Sequence, residues 1–311
     1  MPAVLCECFA RDGLQHEPRF VPTEAKRALV ERFAALGFAR VEATSYSNPE
    51  VVPQFVDASE LLATLARREG TYYKATCANP RAVARALADL EAGHGANEIS
   101  LLVSASESHS RRNLKRTRAE QWSNVAAMAA AARGRFRLIG TVSVAFGCPF
   151  EGRVDPGVVA EDAARFFELG MGHVALGDTT GMATPPAVRA LCARLARELP
   201  ALVPIGHFHD TRGTGLANCV AAYEAGVRHF DCSFGGAGGH PAQLQYGGGY
   251  TGNVATEDLV SLLESMDVAT GIDLDGLLAA AELCERTLGR ELHGRVTRSG
   301  LHPLLRGRRG S

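Results

Sequence analysis

Eight short apolar or β-branched runs alternate with longer segments of helical periodicity, and this alternation restricts the fold more than any other feature of the chain. The runs are 3–9 (AVLCECF), 39–45 (ARVEATS), 72–77 (YYKATC), 98–103 (EISLLV), 136–145 (FRLIGTVSVA), 173–177 (HVALG), 203–208 (VPIGHF) and 228–234 (RHFDCSF). Between them lie Ala/Leu/Arg/Glu-rich stretches with apolar residues every three to four positions, such as 23–36, closed by Gly37. Asp155-Pro156 and Thr184-Pro185 read as helix starts, with proline in the first turn, where its missing N–H costs nothing. Eight such units predict an α/β fold of the closed (β/α)8 type, a TIM barrel, whose usual size is about 250 residues. A doubly wound open sheet fits the alternation too, but eight units and the lack of an early GxGxxG disfavour it. Residues 255–266 and 272–290 read as extra C-terminal helices. The expected layout is a barrel domain over 1–291 and a flexible tail over 292–311, which ends in RGRRGS.

Composition narrows the function. With 33 Lys+Arg against 34 Asp+Glu the formal net charge is −1, without the basic excess of a nucleic-acid binder. No run approaches the roughly 18 apolar residues of a membrane span. The first residues, MPAVLCECFARDG, read neither as a secretory signal nor as a transit peptide, so a cytoplasmic protein without membrane or nucleic-acid partners is expected. Eight cysteines without a CxxC pair fit reduced thiols better than a disulfide framework.

In a barrel, chemistry sits where strands end and βα loops begin. Polar residues gather at those ends: Arg11, Asp12 and Gln15 after the first run, Glu42 in the second, Asp178 in GDTTG after the sixth, and His207 and His209 at the seventh. His207 and His209 are spaced i, i+2, so both imidazoles face one spot, and Asp12 supplies a carboxylate for a divalent cation. Two imidazoles with oxygens suit Mg²⁺ or Mn²⁺, while Zn²⁺ and Co²⁺ are also compatible. Asp210 faces the other way and reads as a loop-orienting residue. Arg11 is either a structural partner of Glu42 or a fixed cation for a developing oxyanion or enolate. Asp178 is either a turn residue or an acceptor supporting a ligand or Arg11. A glycine-rich stretch from Gly235 to Asn253 reads as a lid or binding loop, with Asn253 placed to return an amide oxygen to the metal. Arg111, Arg112, Lys115, Arg116 and Arg118 read as a solvated helix face or as a rim attracting a phosphate-bearing cosubstrate.

Six ordered stretches, RDGLQ (11–15), VEATSYSNPEVVPQ (41–54), GCPFEG (147–152), GDTTGMATP (177–185), HFHDTRGTGLAN (207–218) and TGNVATEDLV (251–260), resemble the hydroxymethylglutaryl-CoA lyase family of metal-dependent TIM-barrel lyases. The resemblance runs from Glu7 to about residue 290. It implies a metal held by Asp12, His207, His209 and Asn253, with Arg11 at the enolate and Gln15 and Glu42 around the site. It also implies cleavage of an HMG-CoA-like 3-hydroxyacyl-CoA, or a related 3-hydroxy acid, by retro-Claisen or retro-aldol chemistry. The implied partner is a CoA thioester, and family members often form homodimers.

One departure stands out. The family carries a cysteine in the glycine-rich loop, within GLGGCPYAQGASGN, that protonates the departing carbanion. Here the stretch begins GAGGHP, which puts His240 at that place, in a loop four residues longer. A histidine moves protons near neutral pH, so His240 is the expected acid in a pocket reshaped for a different acyl group. Two alternatives remain: an acyl-CoA-dependent synthase condensing with an α-keto acid, and a catalytically silent binding homologue.

Overall fold

The computed structural model describes residues 1–239 and 252–305. All eight expected runs are strands: β1 (Val4–Glu7), β2 (Arg40–Ser45), β3 (Tyr72–Cys77), β4 (Glu98–Ser104), β5 (Arg137–Ser143), β6 (His173–Gly177), β7 (Val203–His207) and β8 (His229–Cys232). They pair in parallel in chain order, and β8 returns to β1 through Val4–His229 to Glu7–Cys232, closing the barrel. Between successive strands run α1 (Thr23–Ala35), α2 (Ala58–Thr64), α3 (Pro80–Glu91), α4 (Glu107–His109) with α5 (Arg118–Ala132), α6 (Pro156–Glu168), α7 (Pro185–Glu198) and α8 (Gly215–Glu224). After β8 come α9 (Thr256–Ser265), α10 (Leu274–Leu288) and the short α11 (Arg295–Ser299).

Helix starts follow local chemistry. Asp155 caps α6 by accepting from the Gly157 N–H, with Pro156 next in line, and Asn79-Pro80 does the same for α3. Thr117 and Glu120 form a reciprocal capping box on α5. Pro185 opens α7 as expected, although the Thr184 side chain makes no cap bond. Thr23 begins α1 but does not cap it; its hydroxyl donates to Asp57 Oδ2 at 2.9 Å.

Apolar faces of these helices cover the strands in one continuous core that includes Phe33, Phe38, Phe166, Phe208, Phe230 and Phe234. The barrel interior is different. Arg40, Lys74, Glu98, Glu42 and Asp231 are all buried inside it and paired, as buried charges must be. Arg40 donates to Glu98 from Nε (2.9 Å) and Nη2 (2.7 Å), and its Nη1 lies 3.4 Å from Asp231.

The segment 292–305, expected as part of a flexible tail, is packed instead. Leu292 and Leu305 are buried, and Asp258 of α9 captures the N–H groups of Arg295 and Val296 at the start of α11. Residues 306–311 of that expected tail lie outside the described residues. All eight cysteines are buried and free, and no helix among the described residues is long and apolar enough to cross a membrane.

Candidate active site

The strand ends that carry polar residues converge at the mouth formed by their C-terminal ends, above a cleft of about 870 Å³, within the range of ordinary small-molecule sites. The chain leaves β1 through a five-residue π-helical turn, Phe9–Gly13, whose N–H groups from Arg11, Asp12 and Gly13 all return to the Cys8 carbonyl. Such turns break helical regularity and often sit at functional sites. This one buries Asp12 and lets Arg11 reach Glu42 on the neighbouring β2.

Asp12, His207 and His209 each offer a ligand atom, and all three atoms lie within 4.8 Å of one another. His207 Nε2 is 3.3 Å from His209 Nε2 and 3.6 Å from Asp12 Oδ2. With metal–nitrogen bonds of roughly 2.1 Å, neighbouring ligands sit about 3 Å apart, so the pair has the spacing of one edge of a coordination shell. The expected convergence of the two imidazoles is therefore present, with Phe208 between them turned into the apolar core.

Asn253 reaches the site because Asp210 N donates to Gly252 O and Val254 N to Phe208 O, which ties the end of the glycine-rich stretch to the end of β7. Its amide nitrogen faces Asp12 Oδ2 at 2.8 Å, while its amide oxygen is buried without a hydrogen-bond partner among the described residues. A buried carbonyl oxygen left unsatisfied is costly, and a cation beside Asp12 is the kind of partner it lacks. The residues present thus fit a divalent metal.

Charge is arranged around this point. Burial pulls the His207 imidazole down, yet the Asp12 and Asp231 carboxylates more than offset it and carry the ring up to about 9. Burial likewise works against Asp12, but Arg11 and His207 beside it hold its carboxyl well below the usual range. Arg11 has three partners at two of its nitrogens: Nε lies 2.9 Å from Glu42 Oε1, and Nη1 lies 3.2 Å from Asp12 and 3.3 Å from Gln15 Oε1. Glu42 also accepts from Thr76 Oγ1 at 2.6 Å. The structural alternative for Arg11, an ion pair with Glu42, is present, and it holds the guanidinium beside Asp12.

Asp178 holds its turn, its Oδ1 accepting from Met182 N (2.7 Å) and Ala183 N (2.9 Å), and its carboxylate also accepts from the His209 backbone N–H; among the described residues the side-chain partners of Arg11 are Asp12, Gln15 and Glu42 instead. Burial raises the Asp178 carboxyl to about 7. Asp210 orients its loop, accepting from Gly215 N at the start of α8. Of the basic run, Arg112, Lys115 and Arg116 line the cleft, whereas Arg118 is a structural partner of buried Asp162 (2.9 and 3.0 Å). His240 lies outside the described residues.

Sequence reasoning missed Asp231. It sits on β8, where its Oδ2 is 3.1 Å from His207 Nδ1 and 3.8 Å from Lys74 Nζ. The available signal was a charge inside an apolar strand run, present also at Arg40, Lys74 and Glu98.

The profile of the HMGL-like family matches residues 3–284. The chain is 38% identical to (R)-citramalyl-CoA lyase of Chloroflexus aurantiacus, over 93% of this chain and 92% of that one. It is 37% identical to a hydroxymethylglutaryl-CoA lyase of Bacillus subtilis, over 93% and 94%. An HMG-CoA lyase of Acinetobacter baumannii, solved with coenzyme A and 3-methylmalate, superposes with a TM-score of 0.89 at 35% identity, covering 97% of both chains. On these likenesses the chain belongs to the HMGL-like family.

Proposed function

We propose that the chain is a divalent-metal-dependent carbon–carbon lyase that cleaves a 3-hydroxy-3-substituted acyl-CoA, or a related 3-hydroxy acid, by retro-aldol or retro-Claisen chemistry. The observation that carries this reading is the convergence of Asp12, His207 and His209 beside a guanidinium held by Glu42, Asp12 and Gln15. Relatives named as HMG-CoA and citramalyl-CoA lyases support the reaction class.

Asp12, His207, His209 and the Asn253 amide would hold the metal; the oxygen donors suit Mg²⁺ or Mn²⁺, and the two imidazoles also admit Zn²⁺ or Co²⁺. When bound, it supplies Lewis-acid stabilisation for negative charge on the substrate hydroxyl. Arg11 lies beside Asp12 at the mouth, where its guanidinium meets the thioester oxygen as that oxygen gains enolate character. Glu42 and Gln15 keep the fork from turning. His240, in the glycine-rich stretch, gives a proton to the released carbanion carbon. Arg112, Lys115 and Arg116 at the rim offer charge for the phosphates of a CoA thioester, and the relative solved with coenzyme A supports that class of ligand. An intracellular location accords with eight buried free thiols.

The test is chelation followed by metal add-back, measuring acyl-CoA release from a panel of 3-hydroxyacyl-CoA substrates. Full activity in the chelated protein would remove the metal from the reading. Replacing His240 with Ala should slow turnover by roughly 10²–10⁴-fold with metal affinity kept.

A further inference from the structure

Beneath the metal-ligand cluster the cleft has a polar wall. Lys74 and Thr76 of β3, Ser100 of β4, and Thr141 and Ser143 of β5 all line it. Strand alternation turns Lys74 and Thr76 to one face, and register sets Thr76 beside Ser100. Thr76 Oγ1 is 2.9 Å from Ser100 Oγ. Small-molecule sites are mostly apolar with a few placed polar groups; this wall is hydroxyls and an ammonium.

The lysine is only 3% exposed. Its Nζ lies 3.4 Å from Glu42 Oε1 and 3.8 Å from Asp231 Oδ2, both long for ammonium hydrogen bonds, and it has no closer partner among the described residues. Burying an ammonium costs several kcal/mol unless its partners compensate. Here the charge is paired, but three N–H donors are loosely met. Glu42 is also the partner of Arg11, and Asp231 is also the partner of His207, so Lys74 stands between the two halves of the site. Arg11, Arg40 and Lys74 face Asp12, Glu42, Asp231 and Glu98 there. A dication at Asp12, His207 and His209 would tip this set to a positive surplus, which an anionic ligand group balances.

We propose that Lys74 and its hydroxyl wall form a specificity subsite for a second carboxylate. The substrate's hydroxyl-bearing carbon carries a carboxylated arm at this wall in place of an alkyl arm, in addition to the carboxylate beside the metal ligands. This rests on the lyase reading above. The bond between the hydroxyl-bearing carbon and the carbon next to the thioester breaks, and its electron pair passes to the thioester enolate. The hydroxyl proton leaves as the ketone forms, and the enolate carbon takes up one proton. The products are an acyl-CoA and a keto diacid. An alkyl arm would strip water from the ammonium and hydroxyls without replacing their hydrogen bonds, which is how polar sites reject apolar analogues.

Acetoacetate and 3-oxoglutarate differ by one carboxylate on one arm, so their binding to the Mn²⁺-loaded full chain, measured by calorimetry, is the test. The diacid is expected to bind about tenfold tighter or better, the scale of one hydrogen-bonded ion contact. Lys74→Met should erase that preference, read as the ratio of the two affinities, and Lys74→Arg should keep part of it. Because Lys74→Met also unbalances Asp231, a second variant, Thr141→Val, tests the wall without removing a charge and should weaken only the diacid. Equal affinities in the unaltered protein, or a preference that survives both Lys74→Met and Thr141→Val, would overturn the subsite. Failure of the lyase reading looks different: the diacid preference would hold while no acyl-CoA on the panel is cleaved.

Discussion

His207 Nδ1 lies 3.1 Å from Asp231 Oδ2, and the two residues are register partners on β7 and β8. A carboxylate accepting from the Nδ1–H fixes the tautomer that leaves the Nε2 lone pair facing Asp12 and His209. Arg40 and Lys74 hold Asp231 from behind, so the orientation of a metal ligand is anchored in the barrel interior.

Replacing Asp231 with Asn should therefore weaken metal binding by roughly 10–100-fold, the usual cost of losing such a support. A Mn²⁺ titration followed by electron paramagnetic resonance reads this directly. His207→Ala should lose both metal and activity. An unchanged Kd in Asp231→Asn would reduce the aspartate to a neutralising partner of Arg40.

Arg11 is held by Glu42, Gln15 and Asp12, which leaves its fork little freedom. Arg11→Lys keeps the charge but not the planar geometry. Turnover should fall by roughly 10²–10³-fold, as when a fixed oxyanion donor is lost, with metal affinity nearly kept. Single-turnover kinetics on metal-saturated protein checks it; a rise in KM at constant kcat would instead make Arg11 a substrate-binding group.

How far these features were legible in the sequence depended on whether the signal was local. Each strand shows itself as a short apolar run, and each mouth residue as a polar break at a run's end, so the barrel and the cluster of Asp12, His207 and His209 could be read from the chain alone. The interior charges could not be paired that way. Arg40 meets Glu98 58 residues on and Asp231 191 residues on, contacts that exist only once the barrel closes. The packing of 292–305 was hidden for another reason: much of it depends on Asp258 and Glu257 gripping backbone and hydroxyl groups, with few apolar residues to announce it.

Gly252 sits where the end of the glycine-rich stretch crosses its beginning. A Cβ there would lie 2.3 Å from the Gly238 carbonyl oxygen, and backbone cannot swing aside as a side chain can. Gly252→Ala should cost about 1–3 kcal/mol of stability, as overpacking does. It should also pull Asn253 from Asp12, weakening the metal. Thermal melts with and without Mn²⁺ separate the two effects; a variant with native melting and metal affinity would show that the crossing yields easily.

Glu7 offers a test of pH dependence away from the metal ligands. Its carboxyl is fully buried, and burial drives it up to about 8 against hydrogen bonds from Thr256 Oγ1, Phe9 N and Phe234 N, with Glu257 as a like charge nearby. Between its ordinary value of 4.5 and about 8, the folded chain holds a proton here that the unfolded chain has released. Stability from this group is therefore complete at low pH and declines as pH rises through that window. Glu257, raised by burial to about 7, adds a decline of the same sign. Glu7→Gln imitates the protonated acid: its oxygen can accept from the two backbone N–H groups, and its amide can donate to Thr256. Urea midpoints from about pH 5 to about pH 8 should fall clearly for the unaltered chain and less for Glu7→Gln. Parallel slopes in the two proteins would mean that Glu7 is ionised in the fold and that the three donors around it outweigh its burial.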